Sequence, residues 1–206
     1  MFPIMIDLSG QKVAIAGGGP IAVHKTENLL RFGIQPHIIS PEFHPSFHQL
    51  AREGHVILHR KKVEWADLED AFLIMLVTDN KQVNAEMAEL AVCHGKLVVH
   101  AEHNDLGNAQ IPAVMMRGKL LISVSTSGAS PSLSTQIRNQ LEEEFDERYE
   151  EYVDFLYEVR QYIKRHIQER PERRKWLKRA SENCYLEYPE KRKQYMADLV
   201  TSFPAL

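Results

Sequence analysis

VAIAGGGPIAVHKTENLL, residues 13–30, decides the fold. A short apolar run, Val13 to Ala16, meets three glycines and then apolar positions at helical spacing, so the chain should pass from a buried strand through a tight turn into a helix. Gly33 would close that helix, because glycine accepts the left-handed conformation at a helix C-terminus. The alternation continues downstream. Strands are expected at His37 to Ser40, Val56 to Arg60, Phe72 to Val77 and Leu97 to His100, with helices at Pro20 to Arg31, Pro45 to Arg52 and Lys81 to Cys93, the last stopped by Gly95. This order predicts an α/β fold, a Rossmann-like doubly wound parallel sheet.

Gly17, Gly19 and Ala22 fit G-x-G-x-x-A in the strand–turn–helix context the motif needs. Gly17 would permit the tight turn and Gly19 a close approach of backbone to a pyrophosphate, with the helix beginning near Pro20 aiming free N–H groups at the phosphates. A purely structural turn with close helix packing is the alternative. In dinucleotide sites the second strand ends in an acidic residue that binds ribose hydroxyls. Here it runs into HIISPEF, where Glu42 is the nearest carboxylate and no Arg sits at the turn, which favours NAD over NADP. Tyr-x-x-x-Lys occurs nowhere, which argues against alcohol oxidation on the short-chain dehydrogenase plan.

After Pro112 the pattern changes. A strand is expected at Leu120 to Ser125, then a Gly/Ser/Pro turn and a helix over about Ser132 to Phe145. From Asp146 the chain is dense in Glu, Arg, Lys and Tyr, and Tyr152, Phe155, Leu156, Val159 and Ile163 recur at three- and four-residue steps, predicting amphipathic helices interrupted near Pro171 and Pro189. A length of 206 residues suits one core domain with a helical appendage. The net charge of -3 argues against non-specific nucleic-acid binding, so an acidic ligand must meet a local basic patch. Cys93 and Cys184 show no framework spacing, the start lacks a signal-peptide pattern, and no apolar run is long enough to span a bilayer. A cytoplasmic protein with no membrane partner is expected.

Several further motifs occur in order: FPIMIDLSGQKVAIAGGGPIAVHKTENLL with Lys25 in the first helix, ISPEF, LVTDNKQVNAEMAELA, VVHAEHNDLGNAQIPA and LLISVSTSGASPSLSTQIR. Together they resemble the precorrin-2 dehydrogenase and sirohydrochlorin ferrochelatase family of sirohaem synthesis, over about residues 2–145. The resemblance implies NAD-dependent oxidation of precorrin-2 to sirohydrochlorin, feeding sirohaem and by extension cobalamin synthesis, on a homodimer. It implies an NAD-binding domain at 1–113, a dimerisation and substrate segment at 114–145 and a helical domain at 146–206. Carried over motif by motif, cofactor contacts fall on Pro20, Ile21, Pro41, Glu42, Thr78 and Asp79 beside Gly17 and Gly19. Substrate contacts fall on Ser125, Thr126, Ser127 and Gly128.

The family's functional aspartate aligns with Glu102, a departure, with His100, His103 and Asp105 nearby. Glu102 and Asp105 are the catalytic candidates, either as a general base or as groups that hold metal or macrocycle nitrogens; a polar loop is the alternative. The missing Asp favours a dedicated dehydrogenase over a bifunctional chelatase, and a non-catalytic NAD-sensing module is the rival from another class. Arg117, Lys119 and Arg138 are candidate cations for substrate carboxylates. His44 and His48, and His55 and His59 on an expected strand, read as surface histidines without a metal. RPERRKWLKR, residues 170–179, reads as a solvated helix face.

Overall fold

The computed structural model describes residues 1–100 and 106–204, which divide into two compact units, Met1–Ile111 and Pro112–Leu206. In the first, β1 (Val13–Ala16), β2 (His37–Ile39), β3 (Ile57–His59), β4 (Leu73–Leu76) and β5 (Leu97–His100) form one parallel sheet in the order β3-β2-β1-β4-β5. The chain steps outward from β1 to β3 and then returns to the other side of β1. The switch point therefore lies between β1 and β4, and ligands bind outside the carboxyl ends of strands at such a point.

Residue alternation along each strand feeds two cores. Val13, Ile15, Ile38 and Met75 pack with Ala22, Val23 and Leu29 of α1 (Pro20–Leu30) and Phe47 of α2 (Ser46–Arg52). Ala14, Ala16, Ile39, Ile74 and Leu76 pack with Leu68 of α3 (Trp65–Leu68) and Ala88 and Ala91 of α4 (Lys81–Cys93). Both faces of β1 and β4 are covered, which is why these strands read as unbroken apolar runs. Gly33, at φ 69°, and Gly95, at φ 71°, end α1 and α4 as expected. At each, two N–H groups return to carbonyls of the last turn: Gly33 to Leu30 and Ile34 to Leu29, Gly95 to Val92 and Lys96 to Ala91.

The second unit opens with a hairpin, β6 (Ala113–Arg117) and β7 (Leu120–Val124), paired antiparallel. Gly118 supplies the positive φ, 52°, that the two-residue turn requires. α5 (Pro131–Glu144) follows, then α6 (Arg148–His166), α7 (Arg170–Ala180), α8 (Cys184–Glu187) and α9 (Pro189–Ser202). Tyr152, Phe155, Val159 and Ile163 form the buried stripe of α6 and meet Ala180, Tyr185, Tyr195 and Leu199. Pro171 and Pro189 lie in the first turns of α7 and α9, where a missing N–H costs nothing. No helix among the described residues is long and apolar enough to cross a membrane.

Three elements differ from the sequence expectation. β6 was not anticipated, although Gly118-Lys119 between two apolar runs is a hairpin signal. α3 begins with Glu64 and Asp67 in a reciprocal capping box, a pair outside the usual Ser/Thr start. α8 is a single turn. His55 lies in the turn after Gly54 rather than on a strand, and the histidines that do meet are His37 and His59, with rings stacked and Nδ1 3.0 Å from Nε2 across β2 and β3.

Candidate functional site

The glycine turn sits at the carboxyl end of β1, and each glycine has a different reason to be there. Gly17 adopts φ 126°, and a Cβ there would come 2.6 Å from the Val77 carbonyl oxygen beyond β4. Its N–H donates to the Ile39 carbonyl at 2.9 Å. Gly18, the unspecified middle position of the motif, is the tightest: a Cβ would lie 2.2 Å from the Glu42 carbonyl oxygen and 2.9 Å from the Ser40 side chain. The Gly18 carbonyl also accepts the His44 N–H at 2.8 Å. A substituent at Gly19, by contrast, would meet no atom within 4 Å.

Gly19 is the N-cap of α1 and provides no side-chain cap, and the first turn carries no acidic residue. The early N–H groups of α1 therefore face an open space with a positive helix end behind them. A dinucleotide pyrophosphate fits that combination. Pro20 is exposed at the helix start and Ile21 is 53 % exposed beside it. Lys25, one turn further, is half-buried, and burial pushes its ammonium below the usual lysine range.

The loop after β2 closes over the turn. Ser40 is buried and donates its N–H to the His59 carbonyl at 3.1 Å, while Pro41 and Glu42 are exposed. The Glu42 carbonyl lies close against Gly18, while the residue's side chain is exposed. An arginine does stand at this turn, contrary to the sequence reading. Arg60 Nη1 donates to the Pro41 carbonyl at 3.2 Å, and its guanidinium lies 5.1 Å from the centre of the Phe43 ring. Arg60 follows β3, whose parallel register with β2 brings the two strand ends together; local sequence around HIISPEF gives no hint of it.

Beyond β4, Thr78 is held by a side chain not singled out in the sequence. Asn84, buried on α4, accepts from the Thr78 hydroxyl at 2.6 Å and from its N–H at 3.3 Å, and returns a hydrogen bond to the Thr78 carbonyl at 2.8 Å. Asn80 caps α4 through the Gln82 and Val83 N–H groups. The exposed Asp79 lies between these fixed points. The only signal available was TDNKQVN, in which Asn84 falls on the face of α4 directed at its own preceding loop.

Gly17, Gly18, Pro41, Glu42 and Thr78 are thus gathered at the ends of β1, β2 and β4. Glu102, His103 and Asp105 lie outside the described residues; the neighbouring His100 is buried at the end of β5. The chain resumes against that strand. Asn108 Oδ1 accepts the Val98 N–H at 2.7 Å, its amide donates to the Lys96 carbonyl at 2.8 Å, and a Cβ at Gly107 would meet the Val98 carbonyl at 2.6 Å.

Ser125 to Gly128 belong to the second unit. Thr126 has an internal role: its hydroxyl donates to the Ser130 carbonyl at 3.1 Å, accepts the Ser130 N–H at 3.0 Å and meets the buried Ser134 hydroxyl. Ser125, Ser127 and Gly128 are exposed, with Ser127 at φ 53° and Gly128 at φ 86°, and the Ser127 N–H is taken by the Ser125 hydroxyl. Ser130 caps α5 at Leu133. The three candidate cations nearby are engaged: Arg117 and Arg138 both reach Glu142, and Lys119 pairs with Asp154.

With this geometry in view, family models match in three consecutive stretches: one described as NAD(P)-binding over residues 4–113, the sirohaem biosynthesis protein central model over 117–144, and the SirC C-terminal domain over 149–195. A precorrin-2 dehydrogenase of Bacillus subtilis (strain 168) is 34 % identical over 78 % of this chain and 99 % of its own length. The chain belongs to the precorrin-2 dehydrogenase family. A precorrin-2 dehydrogenase of Priestia megaterium is 33 % identical over 80 % of this chain and 81 % of that one. The solved structure of SirC, precorrin-2 dehydrogenase, superposes with a TM-score of 0.83 at 30 % identity, covering 98 % of this chain and all of that one. A siroheme synthase of Acinetobacter baylyi matches only over 38 % of its length.

Proposed function

We propose that this chain catalyses the NAD-dependent oxidation of precorrin-2 to sirohydrochlorin in sirohaem synthesis. The observation that carries this is the glycine turn: clamped by loops on two sides at Gly17 and Gly18, and open at Gly19 over the uncapped start of α1. When bound, NAD⁺ accepts the hydride, and the accompanying proton leaves to a base or to water. The chain's own part is to grip and orient. Gly19, Pro20 and Ile21 would receive the pyrophosphate, Pro41 and Glu42 the adenosine ribose, and the Thr78–Asp79 loop, held by Asn84, the nicotinamide side.

Glu102 and Asp105 are the proposed proton acceptors or macrocycle contacts, on the strength of the family resemblance. Ser125, Ser127 and Gly128 would meet substrate carboxylates, with Thr126 keeping their loop in shape. We assign residues 1–113 to an NAD-binding domain, 114–145 to a dimerisation and substrate segment, and 146–206 to a C-terminal helical domain. A homodimer is supported by the hairpin of β6 and β7, both of whose outer edges lack a strand partner among the described residues and are open to pair with a second copy. Free thiols at Cys93 and Cys184 support a reducing compartment, and hence the cytoplasm.

The test is anaerobic addition of precorrin-2 and NAD⁺ to the pure protein, followed by Fe²⁺ or Co²⁺. NADH and sirohydrochlorin are expected in equal amounts, with metallation no faster than without enzyme. Metallation above that rate would make the enzyme bifunctional, and NAD⁺ binding without NADH would leave a sensing module. If Glu102→Ala and Asp105→Ala each keep oxidation within a few-fold of wild type, neither is a general base.

A further inference from the structure

We propose that the exposed face of α7 is a capture surface for the carboxylates that ring the tetrapyrrole, an inference that rests on the function above. Six positions of α7 face solvent, Arg170, Pro171, Arg174, Lys175, Lys178 and Arg179, and five of them are cationic. The opposite side of the helix is directed inward, with Trp176 and Leu177 packed on the helical core and Ala180 within it. Arg170, Arg174 and Lys178 recur every four residues and form one stripe about 12 Å long at 1.5 Å per residue. Lys164 and Arg165, exposed in the last turn of α6, adjoin its start.

Several cations elsewhere in the chain are already held by acids. Lys12 is paired with Asp70, Arg117 and Arg138 with Glu142, Lys119 with Asp154 and Arg192 with Glu151. Among the described residues, Arg170, Arg174 and Lys178 have no carboxylate partner. Glu172, the one acid on α7, is turned toward the less exposed side and reaches only Lys175, at 3.7 Å. Like charges four residues apart destabilise a helix by about 0.2–0.5 kcal/mol per pair. A face concerned only with solubility would intersperse both signs.

A local excess of positive charge on a chain of net charge -3 selects for an anion met at this place, and the net charge disfavours a long nucleic acid. Such a face acts over roughly one Debye length, about 8–10 Å, and steers anionic ligands into association about 10- to 1,000-fold faster than diffusion of a neutral pair. A compact polycarboxylate is the anion that the proposed reaction supplies. Steering requires no contact with the reacting atoms, so its signature is in the association rate and its salt dependence.

The experiment is stopped-flow fluorescence of sirohydrochlorin binding to the full chain at low and near-physiological salt. It compares wild type, Arg170→Gln/Arg174→Gln/Lys178→Gln, and a control with the same charge change at exposed sites elsewhere, Arg31→Gln/Lys62→Gln/Lys193→Gln. The α7 variant should associate about tenfold more slowly at low salt, with a flatter salt dependence, unchanged NAD affinity and an unchanged circular dichroism spectrum, while the control follows wild type. Equal association rates for the two variants would overturn the proposal. So would a loss confined to single-stranded DNA binding. If wild type makes no NADH from precorrin-2, the functional reading fails; if it does and the α7 variant matches the control, the capture surface alone fails.

Discussion

In the parallel sheet, Ile15, Ile38, Ile74, Met75 and Leu76 are fully buried without a polar side chain among them. The helical unit is instead built on rings. Phe155, Trp176 and Tyr185 surround Tyr195, with ring centres 5.2–5.6 Å from its own. Its tyrosine hydroxyls must also find acceptors: Tyr195 donates to the Trp176 carbonyl at 2.5 Å, Tyr162 to Phe203 at 2.6 Å and Tyr152 to Ala180 at 3.4 Å. An aliphatic core is non-directional and tolerates swaps that conserve volume. An aromatic core with hydrogen-bonded tips fixes its helices in one arrangement, because a displaced ring loses both packing and its partner.

The sharpest way to break this contrast is at Tyr195. Tyr195→Ala should destabilise the helical unit by about 3–5 kcal/mol, as for other buried aromatic truncations. Tyr195→Phe should cost about 0.5–1.5 kcal/mol by removing the hydrogen bond to the Trp176 carbonyl, which keeps its partner within α7. Both are read from urea unfolding with tyrosine and tryptophan signals, and equal effects of the two variants would show that the hydroxyl, rather than ring packing, dominates. In the first unit the corresponding constraint is backbone. Gly18→Ala should cost about 1–3 kcal/mol and abolish NAD binding, because the Glu42 carbonyl must move. Gly19→Ala should leave stability within about 0.5 kcal/mol and weaken only NAD affinity, by about tenfold in titration calorimetry.

Asn84→Ala sharpens the comparison further, since it removes a polar hold that the first unit, like the helical one, keeps buried. It should cost about 1–3 kcal/mol by orphaning groups on Thr78. The smallest effect belongs to His37. Burial first, then the charges of Lys12 and His59, hold its imidazole below the usual 6.5. The unfolded chain then binds the proton more readily, so this contribution is complete above about pH 6.5 and is lost as pH falls below it. His37→Gln should flatten the pH dependence of the melting temperature in that window.

The strands of the first unit and its helices other than α3 were legible because a two-sided sheet needs unbroken apolar runs, and Gly33 and Gly95 announce the ends of α1 and α4. The glycine turn was legible in kind, though its middle residue proved to be the one most tightly enclosed. Arg60 was hidden because its neighbourhood is set by strand pairing across about twenty residues, and Asn84 because a single asparagine in a helix looks like surface. Arg117, Lys119 and Arg138 illustrate the same limit from the other side. Their charge was plain from sequence, but whether a carboxylate already occupies it depends on how β6 and β7 meet α5 and α6.

The contact between Gly18 and Glu42 separates two kinds of information at one position. What closes on the glycine is the carbonyl of residue 42, which every amino acid possesses, while the side chain points outward. Position 42 is therefore open to redesign. Its carboxylate can be exchanged for a neutral or basic group with the turn beneath left as it is, because the carbonyl that encloses Gly18 stays.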